Sequence, residues 1–243
     1  MVELRVTCQR TTPFSAIQRP ALQDQAVGAA WHGLAKRILD LSCGGLILLL
    51  SAPVWILLMI AIKLEDGGAV FYLQDRWGKG GTRFRALKFR SMVTNSDAVW
   101  GSIQAKENDP RITRVGRLMR KTALDELPQV LNILKGDMSF VGPRSLPINE
   151  RQLHDATPDL PDDAIPNFDV RSRVRPGLTG LAQIYAPRDV RRRNKFRYDA
   201  LYVCRQSLCL DLQLICLSVW ISLRGGWERR SQRAQRLKSA PRK

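Results

Sequence analysis

The chain has 243 residues, enough for one domain with a hydrophobic core, and its 39 Lys and Arg against 22 Asp and Glu give a net charge of +17. This excess favours anionic partners, while the low aromatic content of 7% argues against a stacking platform for single-stranded nucleic acid. Five cysteines without CxxC spacing and only two histidines argue against a disulfide framework, a zinc knuckle or histidine-based catalysis.

The first long feature is an apolar run that follows a polar N-terminal segment. Residues 1–32 are predicted to be a flexible tail, because this segment is polar and contains proline and glutamine, and it lacks the layout of a secretory signal. No residue from Leu41 to Ile62 is charged, and a helix of this length measures about 33 Å, enough to cross a bilayer. Residues 33–66 are therefore predicted to be a membrane segment, and length alone favours a simple spanning helix.

Two features favour a re-entrant helix–break–helix instead. Pro53 lies in the middle of the run, where a proline removes a backbone hydrogen bond and kinks a helix. Basic residues lie on both flanks, beginning with Lys36 and Arg37 before the run and Lys63 after it. Because basic flanks prefer the cytoplasmic side, a hairpin that keeps both flanks inside satisfies this preference and a span does not.

Residues 67–223 are predicted to form a catalytic domain of mixed α/β, mostly helical structure. Segments 69–73 and 83–89 read as short strands around a glycine-rich turn, and residues 111–121 read as a basic helix. Residues 94–108 are polar, and residues 155–169 contain three prolines and five aspartates, which indicates a surface loop. The apolar run 207–223 is predicted to be an interfacial helix, and residues 224–243 a basic tail.

An acidic pair carries the most chemical information. Asp125 and Glu126 stand at a predicted helix start, because Pro128 is tolerated only in a first turn and Gly136 is a plausible end. Thr122 or Asp125 could cap this helix, and a capped acidic first turn is the structural alternative to a catalytic role. The helix N-terminus favours the ionised carboxylate, two carboxylates suit Mg²⁺, and aspartate is an established nucleophile at phosphorus. Lys88, Arg144 and Arg175 are candidate cations for phosphate oxygens.

The motifs in this order resemble the bacterial sugar transferase family, the monotopic phosphoglycosyl transferases. The resemblance covers residues 36–223 and rests on KFRSM, on LDELPQVLNILKGDMSFVGPR around the acidic pair, and on VRPGLTGLAQI downstream. It implies a membrane enzyme of minimal size on the cytoplasmic face of the bacterial inner membrane. The implied reaction moves a sugar 1-phosphate from a nucleotide diphosphate sugar to polyprenol phosphate, with a UDP-sugar as the expected donor and undecaprenyl phosphate as the expected acceptor.

The resemblance also implies roles for individual residues. Asp125 is the implied nucleophile, with Glu126 assisting it and both carboxylates binding Mg²⁺. Lys88 and the residues of the GPR and RPGLTG motifs are the implied substrate-binding groups, and Pro53 is the implied membrane kink. The motif residues are Gly142, Pro143, Arg144, Arg175 and Thr179.

This chain departs from the family pattern at three positions. Ser145 replaces a proline after GPR, Leu181 replaces a tryptophan, and Ala52 stands where a serine often precedes the kink proline. The implied partners are the donor, the polyprenol phosphate, a bilayer with anionic lipids and downstream glycosyltransferases, but not nucleic acid. Two other hypotheses are a membrane-tethered nucleic-acid-binding protein, for which no aromatic platform or helix-turn-helix is found, and an inactive scaffold, which conflicts with the intact acidic pair.

Overall fold

A computed structural model describes residues 22–94, 96, 109–148, 161–186 and 192–224. The described chain is mostly helical, with one antiparallel and one parallel pair of strands, as the predicted mixed α/β class requires. The helices are α1 (Leu22–Asp66), α2 (Arg114–Thr122), α3 (Gln129–Lys135), α4 (Phe168–Ser172), α5 (Leu181–Tyr185), α6 (Arg192–Arg205) and α7 (Leu208–Leu223). The strands are β1 (Phe71–Trp77), β2 (Arg83–Phe89), β3 (Ser139–Val141) and β4 (Gly177–Thr179).

Helix α1 contains the apolar run and continues through Pro53. Its Gly33–Asp66 portion is long and apolar enough to cross a membrane. The predicted break at Pro53 is therefore not confirmed. The helix begins at Leu22, within the segment predicted as a tail. Near the proline, the Ser51 hydroxyl accepts a hydrogen bond from Trp55 Nε1 at 3.1 Å.

The N-terminal flank of the apolar run is bonded to the domain that follows the run. Lys36 forms a 2.6 Å ion pair with the fully buried Asp211 of α7. Arg37 donates two hydrogen bonds of 2.7 Å to the last carbonyls of α3, those of Ile133 and Leu134, where a cation also complements the helix dipole. Asp40, one helical turn after Lys36, accepts hydrogen bonds from the Ser139 hydroxyl and from Phe140 N at the start of β3.

The C-terminal flank is bonded to the same domain. Glu65 accepts hydrogen bonds from the free backbone N–H groups of Arg114 and Val115 in the first turn of α2. Asp66 forms an ion pair with Arg90, which follows β2 directly. Both ends of the apolar segment are thus fixed to one folded unit.

Between these flanks, one face of α1 packs on the domain. Trp55 meets Phe89 of β2 edge to face, with ring centroids 5.2 Å apart. Leu58, Ile62 and Met119 of α2 complete this buried cluster. The opposite face is exposed and apolar, with Leu34, Ile38, Leu41, Leu46, Leu49, Leu50, Ile56, Leu57, Ile60 and Leu64.

The β1–β2 hairpin extends further than the sequence pattern predicts. The predicted glycine-rich turn is present, with Gly80 and Gly81 at positive φ. The predicted second strand matches β2, but β1 runs to Trp77 rather than ending at Leu73. Gln74 and Arg76 of β1 are polar because their face of the hairpin lines a polar site rather than the core.

The C-terminal half of the domain closes over β3 and β4. Helix α7 is capped by Ser207, whose hydroxyl accepts a hydrogen bond from Leu210 N, and it occupies the segment predicted as a helix. It exposes Leu212, Val219 and Trp220. In the predicted surface loop 155–169, Asp162 is buried and bonded to Trp77 and Arg192. Most of the segments predicted at 94–108 and 224–243 lie outside the described residues.

Candidate active site

The hairpin presents basic side chains on one face. The register pairs Arg76 with Phe84, Gln74 with Ala86, and Tyr72 with Lys88. Because side chains alternate across a strand, Arg76 and Lys88 project from the same face. This face lies against the segment that carries the acidic pair, where Lys88 Nζ donates to Glu126 at 2.8 Å.

The acidic pair lies in a tight turn between two helices. Helix α2 is capped by the Thr113 hydroxyl and ends at Ala123, which has φ of +59°. Leu124–Glu126 then forms a single 3-10 turn before Pro128 leads into α3. The predicted cap is wrong, because the Thr122 hydroxyl donates backwards to carbonyls of α2 and Asp125 caps no helix.

The predicted end of α3 is confirmed. Gly136 follows the helix with φ of +100°, and its N–H bonds the carbonyls of Asn132 and Ile133. Asn132 is buried and uses its side chain to bond Leu87 N and Arg85 O of β2. These two bonds fix α3, and with it the preceding acidic turn, to the strand that carries Lys88.

Three cations surround Glu126. Lys88 is in contact, Arg144 NH2 lies 3.9 Å from Glu126 Oε1, and the charge of Arg76 also acts on this carboxylate. Burial raises the pKa of Glu126, but the three cations outweigh burial and hold the pKa well below its usual range. Glu126 is therefore a permanent anion near neutral pH.

Asp125 has the opposite electrostatic character. It is 8% exposed, and burial raises its pKa above the usual value although Lys88 acts against this shift. The neighbouring charge of Glu126 raises the pKa further. Burial, which the sequence does not reveal, thus overrides the predicted effect of a helix N-terminus.

Glycines hold the two downstream motifs together. Gly142 N donates to Thr179 O at 2.9 Å, and Gly177 N donates to Pro143 O at 2.8 Å. A Cβ at Gly142 would lie 2.4 Å from the Arg175 carbonyl oxygen, and one at Gly180 would lie 2.1 Å from the Gly142 carbonyl oxygen. The motif glycines are therefore required for the close approach of two backbones.

The structure places the other predicted binding residues in different surroundings. Pro143 and Thr179 are buried in this frame, and within the described residues the Thr179 hydroxyl has no hydrogen-bond partner. The backbone of Arg144 is fixed by the buried Arg171–Asp199 ion pair, while its side chain remains 48% exposed. The charge of Arg175 acts on Asp40 of α1, and the described contacts do not bring it to the acidic pair.

Sequence reasoning missed Arg76, which is 5% exposed and lies among the site residues. In the sequence it is one of several basic residues that follow the apolar run, and no local pattern distinguishes it from them. Its even spacing from Gln74 would have been a signal only if the predicted strand had continued beyond Leu73.

The donor set of the site is compatible with Mg²⁺. Among the described residues no cluster of three His, Cys, Asp or Glu side chains is present, so the protein would contribute only Asp125 and Glu126. Magnesium commonly binds one or two carboxylates and completes its octahedron with water and substrate phosphates. The pair therefore fits a metal that binds together with a diphosphate.

Comparison with known proteins adds independent evidence. Residues 31–225 match the family described as bacterial sugar transferase. The chain is 41% identical over 197 residues to the exopolysaccharide production protein ExoY of Rhizobium meliloti, covering 75% of this chain and 83% of that protein. It is 40% identical over 191 residues to the UDP-glucose:undecaprenyl-phosphate glucose-1-phosphate transferase of Caulobacter vibrioides, covering 76% of this chain and 68% of the relative. The undecaprenyl-phosphate glucose phosphotransferase of Komagataeibacter xylinus is 38% identical over 218 residues, which cover 87% of this chain but 39% of the longer protein.

Proposed function

This chain belongs to the bacterial sugar transferase family, and we propose that it moves a sugar 1-phosphate from a UDP-sugar to undecaprenyl phosphate. The carrying observation is the acidic pair enclosed by Lys88, Arg144 and Arg76, within a match that covers residues 31–225. The reaction would begin the membrane stage of exopolysaccharide or related glycan synthesis, and the relatives named for exopolysaccharide production support this placement.

The proposed chemistry has two displacements at one phosphorus atom. In the first, an Asp125 oxygen bonds the phosphorus next to the sugar, and the bond to the bridging oxygen breaks, so that UMP leaves with the electron pair. In the second, an oxygen of undecaprenyl phosphate attacks the same phosphorus and the Asp125–phosphorus bond breaks. The product is a lipid diphosphate sugar, and Asp125 returns as a carboxylate.

The chain's cations have a defined task in this scheme. Lys88 and Arg144 lie beside the pair. They would neutralise the phosphate oxygens and so reduce the repulsion between the diphosphate and the attacking Asp125 carboxylate. Arg144 is the more adaptable of the two, because its side chain is 48% exposed and that of Lys88 is 16% exposed. Asp125 and Glu126 would hold Mg²⁺, whose charge stabilises the diphosphate when it is bound.

The membrane arrangement that we propose is a re-entrant α1 with the domain on the cytoplasmic face. Both flanks of the apolar segment are bonded to one domain, through Lys36 and Asp40 at one end and Glu65 and Asp66 at the other. A helix that crossed the bilayer would separate these flanks by the membrane thickness, about 30 Å of hydrocarbon, and would break one set of contacts. An α1 that enters and leaves on one side keeps both sets and exposes its apolar face to lipid.

The exposed apolar residues of α7 extend this proposed lipid contact. Trp220 is half exposed, and Arg224 lies over its ring at 4.1 Å from the centroid. An aromatic ring beside a cation suits the boundary between acyl chains and anionic headgroups. The net charge of +17 favours the same surface.

The direct test is a donor screen with the purified protein in lipid nanodiscs, undecaprenyl phosphate and Mg²⁺. Release of the nucleoside monophosphate is measured for a panel of UDP-sugars, beginning with UDP-glucose, and the lipid product is identified by mass spectrometry. We expect release with at least one donor and a matching lipid diphosphate sugar. Failure of every donor, with the protein folded, would count against the proposed activity.

A further inference from the structure

Arg76 is a buried cation whose guanidinium donates to neutral acceptors on Gln74 and Ser145. Its Nε and NH2 donate to Gln74 Oε1 at 3.2 and 2.8 Å, and its NH1 donates to the carbonyl oxygen and the hydroxyl oxygen of Ser145 at 3.0 and 2.8 Å. The planar fork of an arginine can satisfy these directions together, whereas a lysine cannot. Arg76 is therefore held in one orientation before any substrate binds.

Ser145 belongs to the loop that carries Arg144. It is 2% exposed, and the loop continues along β1 through backbone bonds from Trp77 N to Leu146 O and from Ile148 N to Asp75 O. The Arg144 loop is thus joined to the hairpin at this point. The Ser145 hydroxyl adds a side-chain bond to that junction, and the proline of the family pattern would not provide it.

Arg76 adds a buried positive charge to the site. Its charge acts on both Glu126 and Lys88, while Arg144 approaches Glu126 from the exposed side. When a diphosphate arrives, Lys88 and Arg144 have a second anion to bind, but Arg76 remains tied to Ser145 and Gln74. A fixed cation of this kind keeps Glu126 in place while its other partners are shared.

We propose that Arg76 and Ser145 are positioning residues for phosphosugar transfer, an inference that rests on the proposed function. Ser145 orients Arg76 and joins it to the Arg144 loop, so that Glu126, Lys88 and Arg144 keep one relative arrangement. Neither residue needs to contact the donor, because their effect passes through Glu126 and through the position of the loop. Loss of the Ser145 hydroxyl should therefore slow the chemical step more than it weakens donor binding.

The test compares Ser145→Ala and Ser145→Thr in the full-length protein. Ser145→Ala removes the hydroxyl acceptor from Arg76 NH1, so we expect kcat to fall by about tenfold with the donor KM within about twofold. Ser145→Thr keeps the hydroxyl and should restore most of kcat. The rate of UMP release in a single turnover, without acceptor lipid, should follow the same order.

A matched control removes another buried serine hydroxyl. Ser139 donates to Asp40 at 2.9 Å and is 0% exposed, so Ser139→Ala loses a buried hydrogen bond near α1 rather than beside the acidic pair. We expect it to lower the melting temperature while leaving kcat and KM near wild type. In an Arg76→Gln background, Ser145→Ala should have almost no further effect on kcat, because its partner is already absent.

Three outcomes would overturn this inference: wild-type kcat in Ser145→Ala, an equal kcat loss in Ser139→Ala, or additive effects of the Ser145 and Arg76 substitutions. The result remains separate from the proposed function. A wild-type protein that releases no UMP contradicts that function, whereas a wild-type protein that does, with an unaffected Ser145→Ala, contradicts only the positioning role.

Discussion

At the scale of single residues, the acidic pair combines two carboxylates with different tasks. Three cations keep Glu126 ionised, while burial makes Asp125 the member of the pair that more readily holds a proton. A permanently charged Glu126 can keep its ion pair with Lys88, in which Nζ lies 2.8 Å from Oε1. Asp125 then remains available to attack the phosphorus of the donor. The division results from their surroundings, since the two residues are adjacent in the same turn.

Asp125→Asn should abolish the covalent intermediate. The amide keeps the shape of the side chain but is a poor nucleophile, so we expect turnover to fall by about a thousandfold or more. Intact-protein mass spectrometry with donor and no undecaprenyl phosphate should show a phosphosugar adduct on the wild type only. Donor binding through Lys88 and Arg144 should survive. An adduct in Asp125→Asn, or sequential rather than ping-pong kinetics, would remove Asp125 as the nucleophile.

The raised pKa of Asp125 has a consequence for pH dependence. Attack requires the ionised carboxylate, so kcat/KM should fall as the pH drops through this pKa and the group takes up a proton. Because burial raises that pKa, the acid limb should lie above 3.8, the ordinary value for aspartate. A pH profile at constant ionic strength and a low, fixed Mg²⁺ concentration tests this, because Mg²⁺ bound to the carboxylate would itself lower the pKa. A profile that stays flat down to that ordinary value would contradict the assignment.

Glu126→Gln tests the proposed metal site. The substitution removes one charged oxygen ligand, so the Mg²⁺ concentration for half-maximal rate should rise and the maximal rate should fall. EDTA should stop turnover of the wild type, and added Mg²⁺ should restore it. Asp137→Asn is a suitable control, since this carboxylate pairs with Lys135 at the end of α3. Full wild-type activity in excess EDTA would exclude Mg²⁺ from the reaction.

The sequence predicted some of these residues and could not predict others, for a physical reason. Asp125, Glu126, Lys88 and Arg144 stand in motifs, and the structure brings these four together. The contribution of Arg76 depends on tertiary contacts with Ser145, 69 positions away. The same long-range packing raises the pKa of Asp125 through burial, which local patterns do not encode.

At the scale of elements, the β3–β4 pair sets the position of the Arg144 loop. Gly142→Ala would place a Cβ 2.4 Å from a backbone oxygen, so the two strands must separate. We expect a loss of roughly 1–3 kcal/mol in the free energy of unfolding, together with reduced activity. Gly33→Ala is the control, because a Cβ at this position in α1 meets nothing within 4 Å. Equal melting temperatures for the two variants would show that the close approach is unimportant.

Element boundaries followed the sequence where a local signal existed. Gly136 ends α3 and the glycine-rich turn closes the hairpin as predicted, because both need positive φ. The pattern failed for β1, because Gln74 and Arg76 belong to the strand but face a polar site instead of a core. The break at Pro53 stays a prediction, because α1 is helical on both sides of this proline and through it.

At the scale of the whole molecule, the flanks of α1 and the domain form one bonded unit. The Lys36–Asp211 ion pair, with Asp211 fully buried, anchors one end. At the other end, the Glu65 carboxylate accepts hydrogen bonds from backbone N–H groups in the first turn of α2, the helix that leads to the acidic pair. This arrangement would place the site beside the membrane surface, where the phosphate of a polyprenol lipid lies.

The proposed topology can be tested with tags at Met1 and Lys243. If α1 is re-entrant, both tags should be protected from protease in intact spheroplasts and cleaved after lysis. Pro53→Leu restores the missing backbone donor and should let a fraction of molecules adopt a spanning α1, exposing the Met1 tag. Ala52→Leu is the matched control, because it adds a leucine at a neighbouring exposed position without changing backbone hydrogen bonding. Exposure of one tag in the wild type would contradict the re-entrant arrangement. In that case, the contacts of Lys36 and Glu65 with the domain could not both exist in the membrane, because the two flanks would lie on opposite sides.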